Sequence, residues 1–359
     1  MRAAWLLLAL LLAGTPAWSA DAAPLQPPLR FPDDEGAHPD WKTEWWYVTG
    51  WLRDDSGRPF GFQLTFFRNR GPADASHASR FAPRQLLLAH AALSDPGRGR
   101  ILHEERMARS GFGLADCRSD RLDIHIDDWS LQRLPGGDLQ ATASGNAIAL
   151  ELNLASTQSP LLEGEQGFSR KGHDRRAFSW YYSLPQLKVS GRVRKGSGAA
   201  FRVSGTAWLD HEWSNAYVTD NAVGWDWTGL NFDDGAALMA FRMRDSGGHT
   251  LWSAGTWRDA NGNTAALDNG QIDFLPVRSW TSPATGARYP LEWTLRWPGH
   301  ALQLRPLFDD QEMDTRASTG TAYWEGAVTA SPADATGTSP GVAAHGYLEL
   351  TGYWKPLLF

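Results

Sequence analysis

The amino-acid sequence predicts an all-β protein that folds as two tandem β-barrels. Three observations support this fold class: short alternating strands, frequent turns that contain glycine, and an internal repeat. The 359 residues include 19 Trp, 15 Phe and 8 Tyr, and 36 Gly are available for turns. Because aromatic side chains are enriched in strands and glycine in turns, this composition favours sheets over helices.

Alternation of apolar and polar residues predicts the individual strands. Phe62, Leu64 and Phe66 alternate with other side chains in one segment, and the apolar residues of segment 122–126 repeat the pattern. A period of two is typical of a strand whose two faces differ. Turn signals that contain Asp or Pro followed by Gly separate such segments, at residues 54–57, 135–137, 233–235 and 259–262.

An internal repeat predicts two copies of one unit. Residues 46–50 resemble residues 225–229, which lie 179 positions later, and an acidic turn follows at the same offset in each copy. A second strand then ends in Phe-Arg in both copies; chance recurrence of a common hairpin is the alternative. We expect an N-terminal barrel over residues 36–215 and a C-terminal barrel over residues 216–359. Barrel closure removes open sheet edges and leaves room for one small ligand.

The first 22 residues predict a cleaved signal peptide. Arg2 precedes an apolar run over residues 3–14, and Ala20 and Ala22 form a small-residue cleavage signal. The run is too short to span a bilayer, and the sequence has no second long apolar stretch. We therefore expect a periplasmic or secreted protein with no transmembrane segment after cleavage.

Charge and cysteine content exclude several classes of partner and cofactor. The net charge of -6 and the absence of a basic stripe argue against nucleic acid as a partner. Cys117 is the only cysteine, so the chain cannot form an internal disulfide. The sequence has no phosphate-binding loop, dinucleotide fingerprint or paired cysteines, and we expect neither a cofactor nor a metal.

The first candidate cluster lies in residues 38–47, where an acid, basic groups and four aromatic residues fall within ten positions. We predict that Glu44, Trp45 and Trp46 contact a ligand. A buried Glu44 would favour its neutral form and suit a general acid. The alternative is a structural Glu44 that accepts hydrogen bonds from Trp indole N–H groups or pairs with an arginine such as Arg68.

The second candidate cluster lies in residues 208–215. We predict catalytic roles for Asp210, His211 and Trp213, because Asp210 could orient or charge the imidazole and Trp213 could line an apolar site. The segment begins like the zinc motif H-E-x-x-H, but Asn215 stands where the second histidine belongs, and the helical context is missing. The alternative for His211 is a hydrogen-bonded histidine at the interface between the barrels.

Two further segments, residues 225–227 and 323–326, each place a carboxylate among aromatic rings. The expected ligand-binding residues here are Trp225, Trp227, Tyr323 and Trp324, with Asp226 as a further catalytic candidate. Ordinary barrel core with one hydrogen-bonded acid is the alternative for both segments.

Residues 44–47, 61–68, 210–213 and 225–227 together resemble the carotenoid 1,2-hydratase superfamily, most closely its AttH-like branch of secreted hydrolases. The resemblance spans nearly all of the mature chain and implies two tandem lipocalin-like β-barrels. Enzymatic members add water across a terminal carbon–carbon double bond of acyclic carotenoids. A His and a Trp of their D-H-x-W segment are implicated in catalysis, which corresponds to His211 and Trp213. Asp226 is the nearest match to the family's further acid.

Three functions are compatible with these features. The first is a carrier of a hydrophobic, isoprenoid- or lipid-like small molecule, with a membrane export system as a candidate partner. The second is a hydratase, lyase or hydrolase in which Asp210 or His211 protonates an alkene and Trp213 stabilises the carbocation. The third is a scaffold for envelope proteins. A cavity at His211 would favour the enzyme, a remote apolar cavity the carrier, and filled interiors the scaffold.

Overall fold

The computed structural model describes residues 28–72, 78–79, 81–217, 221–333 and 343–357. The predicted signal peptide lies outside the described residues. A short 3-10 helix, Asp33–Glu35, precedes the first strand. Among the described residues, no helix has the length and apolar character needed to cross a membrane.

Thirteen strands of the described residues form the first sheet, and each pairs antiparallel with its neighbours. They are β1 (Thr43–Asp54), β2 (Pro59–Arg70), β3 (Gln85–Asp95), β4 (Arg100–Arg109), β5 (Ala115–Cys117), β6 (Asp123–Ile126), β7 (Trp129–Arg133), β8 (Leu139–Ser144), β9 (Ile148–Ala155), β10 (Leu161–Leu162), β11 (Phe168–Arg170), β12 (Phe178–Lys195) and β13 (Phe201–Ala216). Their order is β4-β3-β2-β1-β13-β12-β9-β8-β7-β6-β5, and β10 and β11 also pair with β12.

Ten strands of the described residues form the second sheet. They are β14 (Gly224–Phe232), β15 (Ala237–Arg244), β16 (Thr250–Arg258), β17 (Thr264–Leu267), β18 (Asp273–Thr281), β19 (Arg288–Trp297), β20 (His300–Pro306), β21 (Glu312–Thr315), β22 (Thr321–Pro332) and β23 (Ala344–Leu350). Their order is β17-β16-β15-β14-β23-β22-β20-β19-β18, with β21 on β22.

The two sheets repeat one strand arrangement. In each sheet the first strand pairs with the second strand on one side and with the last strand on the other. The order β3-β2-β1-β13-β12 therefore corresponds to β16-β15-β14-β23-β22. This correspondence agrees with the internal repeat that begins with residues 46–50 and 225–229.

Each sheet curves around its own apolar core, and a third cluster fills the contact between them. The first core includes Trp46 and Trp213, and the second includes Trp293 and Trp324, all fully buried. Aromatic side chains from both sheets, such as Trp208, make up the third cluster. A strongly curved antiparallel sheet around an apolar interior is a barrel-like architecture. The predicted all-β fold of two lipocalin-like barrels is confirmed.

Candidate functional site

Strand β13 divides the segment Asp210-His211-Glu212-Trp213 between two environments. Successive side chains of a strand point to opposite faces of the sheet. His211 and Trp213 face the core of the first barrel, where Trp213 is fully buried. Asp210 and Glu212 face the second barrel. The prediction that Asp210 orients the His211 ring is therefore wrong, because the two side chains lie on opposite faces of one strand.

Strand register explains which residues meet on each face. Trp46 on β1 and Tyr182 on β12 lie directly opposite His211, one on either side of β13. The His211 ring stacks on Trp46, with ring centroids 4.6 Å apart, and its Nδ1 lies 3.2 Å from the Tyr182 hydroxyl. His211 is thus hydrogen-bonded on both ring nitrogens, as the alternative prediction has it, but it lies inside the first barrel and not at the interface between the barrels.

Glu44 is the centre of a buried hydrogen-bond network in the first barrel. Its Oε1 lies 2.8 Å from Nδ1 of His38 and 2.9 Å from Nε2 of His211. Its Oε2 accepts a hydrogen bond of 2.6 Å from Nε of Arg68, the residue directly opposite on β2. Glu44, Arg68 and His211 are fully buried. The predicted pairing of Glu44 with Arg68 is confirmed.

The partners of Glu44 determine its charge. Burial alone raises the pKa of Glu44, but hydrogen bonds from His211 and His38 outweigh burial and hold the pKa well below its usual range. Burial lowers the pKa of His211 to about 4, although the hydrogen bond to Glu44 opposes this. The prediction of a neutral Glu44 is therefore wrong: the group is a carboxylate beside a neutral imidazole at pH 7.

The same three groups include atoms that could bind a metal ion. The ligand atoms of His38, Glu44 and His211 lie within 4.8 Å of one another. Each donor atom already has a hydrogen-bond partner, and the Arg68 guanidinium contacts the same carboxylate. Because this buried positive charge would repel a cation, the donor set fits a hydrogen-bonded network better than a metal centre.

On the other face of β13, Asp210 belongs to a network of buried acids. It accepts hydrogen bonds from Tyr181 (2.7 Å), Trp208 (2.6 Å) and Ser183 (2.5 Å). The same Ser183 hydroxyl lies 2.8 Å from Oε1 of Glu163. One hydroxyl carries one proton, so it satisfies both carboxyl groups only when one of them is protonated. Burial accordingly raises the pKa of Asp210 to about 7 and that of Glu163 to about 8.

Glu212 anchors a buried lysine between the barrels. Nζ of Lys171 lies 2.6 Å from Oε1 of Glu212 and 3.2 Å from the Ser169 hydroxyl. The same Nζ lies 4.2 Å from the ring centroid of Phe241 on β15, across the interface. Lys171 therefore links the acids of the first barrel to an aromatic surface of the second.

A cavity of about 330 Å³ opens beside this lysine. Its walls come from β11 and the neighbouring loops on one side, and from β15, β16 and β17 on the other. The apolar part of the wall includes Phe168, Met239, Phe241 and Trp252, and the polar part includes Ser169, Arg170 and Arg175. Because Ser169 and Phe241 both contact Lys171, the cavity and the buried ion pair are adjacent.

None of the predicted site residues lines this cavity. Asp226 lies inside the second barrel, where it binds Nε of Arg242 at 2.6 Å. The Trp324 indole in the same core donates to a backbone carbonyl. The Tyr323 hydroxyl lies 3.0 Å from Nδ1 of His90 in a small cluster that joins the two barrels.

The remaining predicted tryptophans lie at the barrel interface. Trp45 of the first barrel and Trp225 of the second stack at a centroid distance of 6.5 Å. The Trp227 indole donates a hydrogen bond of 3.0 Å to the Tyr181 hydroxyl, which in turn donates to Asp210. These residues hold the interface together behind the cavity.

Sequence reasoning missed the residues that build the interface and the cavity wall: Glu163, Lys171, Tyr181, Arg170 and Arg175. One feature of the sequence could have pointed to the arginines. Residues 170–176 contain four Lys or Arg and one His in an acidic protein, two positions after Phe168 and two positions before the strand that begins at Phe178. Such a run beside aromatic residues is unusual enough to mark a candidate anion site.

The fold and the site define a class of tandem lipocalin-like barrel proteins with a buried acid–base network where the barrels meet. The AttH-like family model matches residues 22–353, and the chain belongs to the AttH-like family. The resemblance found in the sequence is confirmed.

Solved structures similar to the chain include an AttH candidate and a hydratase. An AttH candidate from Nitrosomonas europaea is 44% identical, with a TM-score of 0.84 over 92% of this chain and 98% of that one. Kievitone hydratase from Nectria haematococca is 16% identical, with a TM-score of 0.69 over 91% of this chain and 94% of that one. The second likeness shows a shared fold. No curated protein matches the sequence.

Proposed function

We propose that the protein binds a hydrophobic, isoprenoid- or lipid-like small molecule in the cavity between its barrels. The observation that carries this proposal is the cavity of about 330 Å³ with Phe168, Phe241 and Trp252 in its wall. Its volume and its mixture of aromatic and polar side chains fall within the range of small-molecule sites. The cores inside the two barrels, by contrast, are packed with buried side chains.

The proposal includes a periplasmic or secreted location and a membrane export system as partner, supported by the sequence of residues 1–22. Mass spectrometry of the protein recovered from its native envelope fraction tests the location. We expect an N-terminus close to residue 23. A full-length protein in the cytoplasmic fraction would contradict the proposed location.

The bound molecule can be identified directly. We would purify the mature protein from the envelope fraction, extract it with organic solvent and analyse the extract by mass spectrometry. Ala254→Trp places an indole in the cavity wall, and Thr264→Trp adds the same side chain on β17 at an exposed residue outside that wall. We expect an apolar molecule from the wild type and from Thr264→Trp but not from Ala254→Trp. Equal recovery from all three would contradict binding in this cavity.

A hydratase or lyase activity on the same molecule is the second candidate. The observation that favours it is the shared Ser183 hydroxyl, which can donate to only one of Asp210 and Glu163 and so favours a proton on the other. A general acid works best when its pKa lies near the working pH. Glu163 directly precedes Gly164, a residue of the cavity wall. The acid would give its proton to an alkene carbon, water would add to the carbocation, and the added water would return a proton to the carboxylate.

Isotope labelling separates the enzyme from the carrier. The extracted molecule is returned to the protein in heavy-oxygen water, and label in its hydroxyl groups is measured. We expect incorporation by the wild type and by His211→Asn, and loss in Glu163→Gln, since His211 lies outside the cavity wall. Loss in a folded His211→Asn with full activity in Glu163→Gln would refute the assignment of the acid. No label with the wild type would leave the carrier as the function.

A further inference from the structure

The Arg175 side chain lines the inter-barrel cavity and has no polar partner among the described residues. It makes no hydrogen bond or ion pair with any described residue, and its Nε is buried. Its Cζ lies 5.9 Å from the ring centroid of Phe168. A guanidinium has five N–H donors and no acceptor, so an unpaired one at a cavity wall is available for an acceptor on a ligand.

Arg170 is fixed beside the same cavity and also has a free donor. One of its terminal nitrogens donates to the carbonyl oxygens of Gly172 and His173, at 3.2 and 2.9 Å. Its Cζ lies 4.7 Å from the Trp252 ring centroid, within the range of a cation–π contact. Its Nε is buried and has no partner among the described residues. The side chain is therefore held in place while part of its hydrogen-bonding capacity stays unused.

The nearby carboxylates do not neutralise these two arginines. Glu165 and Asp268 also line the cavity, but both are exposed to solvent and neither pairs with Arg170 or Arg175 within 4.0 Å in the described structure. Two further acids lie near this side of the cavity and have partners of their own: Glu212 is paired with Lys171, and Glu163 contacts the Ser183 hydroxyl. The half-buried Arg170 and Arg175 thus give this side of the wall positive charge that no described carboxylate pairs with.

We infer that the ligand of this cavity is an anionic amphiphile, whose apolar body packs on Phe168, Phe241 and Trp252 and whose acidic group binds Arg170 and Arg175. The planar guanidinium fork matches a carboxylate, sulfonate or phosphate geometrically. The inference rests on the proposed function, because it names the chemical class of molecule for the same cavity.

Two fluorescent probes with the same ring system test the inference: anilinonaphthalene sulfonate is anionic, and phenylnaphthylamine lacks the sulfonate. We expect the wild type to bind the sulfonate about tenfold more tightly, as one charge-assisted contact implies. Arg175→Gln should remove this preference and leave the affinity for phenylnaphthylamine unchanged. The matched control is Arg176→Gln, the neighbouring exposed arginine that pairs with Asp174 and does not line the cavity.

The outcomes distinguish the inference from the proposed function. Equal affinities for the two probes in the wild type, or a preference that survives Arg175→Gln, would overturn the anionic class while apolar binding stands. Binding of neither probe, or binding that Ala254→Trp leaves unchanged, would overturn both. Because Arg175 donates no hydrogen bond to the described protein, its replacement should leave the fold intact, which circular dichroism checks.

Discussion

Replacing Arg68 with Met should destabilise the first barrel strongly. The Arg68 guanidinium donates to Glu44 at 2.6 Å and to Gln85 at 2.8 Å, and it also binds two backbone carbonyl oxygens at 3.0 Å. Met retains an unbranched side chain of similar length but leaves the Glu44 carboxylate buried without a permanent counter-ion. Removal of one partner from a buried ion pair lowers the free energy of unfolding by about 3–5 kcal/mol, and we expect a loss in this range at pH 7.

The loss of stability in Arg68→Met should become smaller as the pH falls. In the wild type the folded pKa of Glu44 lies below its reference value of 4.5, so its contribution to the free energy of unfolding is present above that pH and is lost as the pH falls through the folded pKa. In Arg68→Met the hydrogen bonds from His211 and His38 still favour the carboxylate, but loss of the buried guanidinium raises the pKa of Glu44 above its wild-type value. Protonation of Glu44 or of its neighbour His38, whose pKa is raised by hydrogen bonds to Asp34 and Glu44 against the effect of burial, then compensates the unpaired charge at mildly acidic pH. The difference between variant and wild type should shrink between pH 7 and about pH 5.

Urea denaturation at both pH values, followed by tryptophan fluorescence, measures this difference. The control is Arg118→Met, because Arg118 is exposed and pairs with Asp120 at the surface; we expect no measurable change there. A loss below about 1 kcal/mol at pH 7 would show that the pair adds little to stability. A difference that grows as the pH falls would refute the assigned charge of Glu44.

Three further predictions follow from the buried groups. Burial raises the pKa of Glu163 from 4.5 to about 8, so its contribution to the free energy of unfolding is present below pH 4.5 and declines as the pH rises to about 8. The urea midpoints at pH 5 and pH 8 should therefore differ less in Glu163→Gln than in the wild type. An unchanged difference would contradict the raised pKa. Lys171→Met leaves Glu212 buried without its partner and should cost about 3–5 kcal/mol; calorimetry should show a lowered transition, and an unchanged thermogram would count against this pair. His211→Phe removes one hydrogen bond to Glu44 and should lower the free energy of unfolding by about 1–3 kcal/mol. The dissociation constant of phenylnaphthylamine should stay unchanged. Weaker binding of this probe would show that the His211 side chain contacts the ligand.

The fold was predictable because its signals are local. The alternation in residues 62–66 reflects the two faces of a single strand, and the glycine turns connect strands that are neighbours in sequence. Neither pattern depends on contacts between distant segments. The repeat of residues 46–50 at 225–229 pointed to two units with one strand order, which the pairing of β1 and β14 with their partners agrees with. The pairing of Glu44 with Arg68 was foreseeable for the same reason, since both belong to one hairpin.

The candidate site was only partly predictable, because its members come from distant segments. Asp210 and His211 are adjacent in sequence but lie on opposite faces of β13, so proximity along the chain was misleading. Glu163 and Lys171 directly follow the short strands β10 and β11, whose sequence patterns are weak, and they meet Asp210 and Glu212 only in the folded barrel.

The sequence by itself therefore determined the all-β class, the repeated hairpins, the strand faces and the family. The tertiary structure decided which acids are charged, where the cavity lies and which cations face it. The physical reason is that strand formation depends on the period of side chains along one segment, whereas the pKa of Glu44 or Glu163 depends on burial and on partners from other segments. The empty space between Phe241 and Arg175 likewise exists only where the two barrels pack against each other.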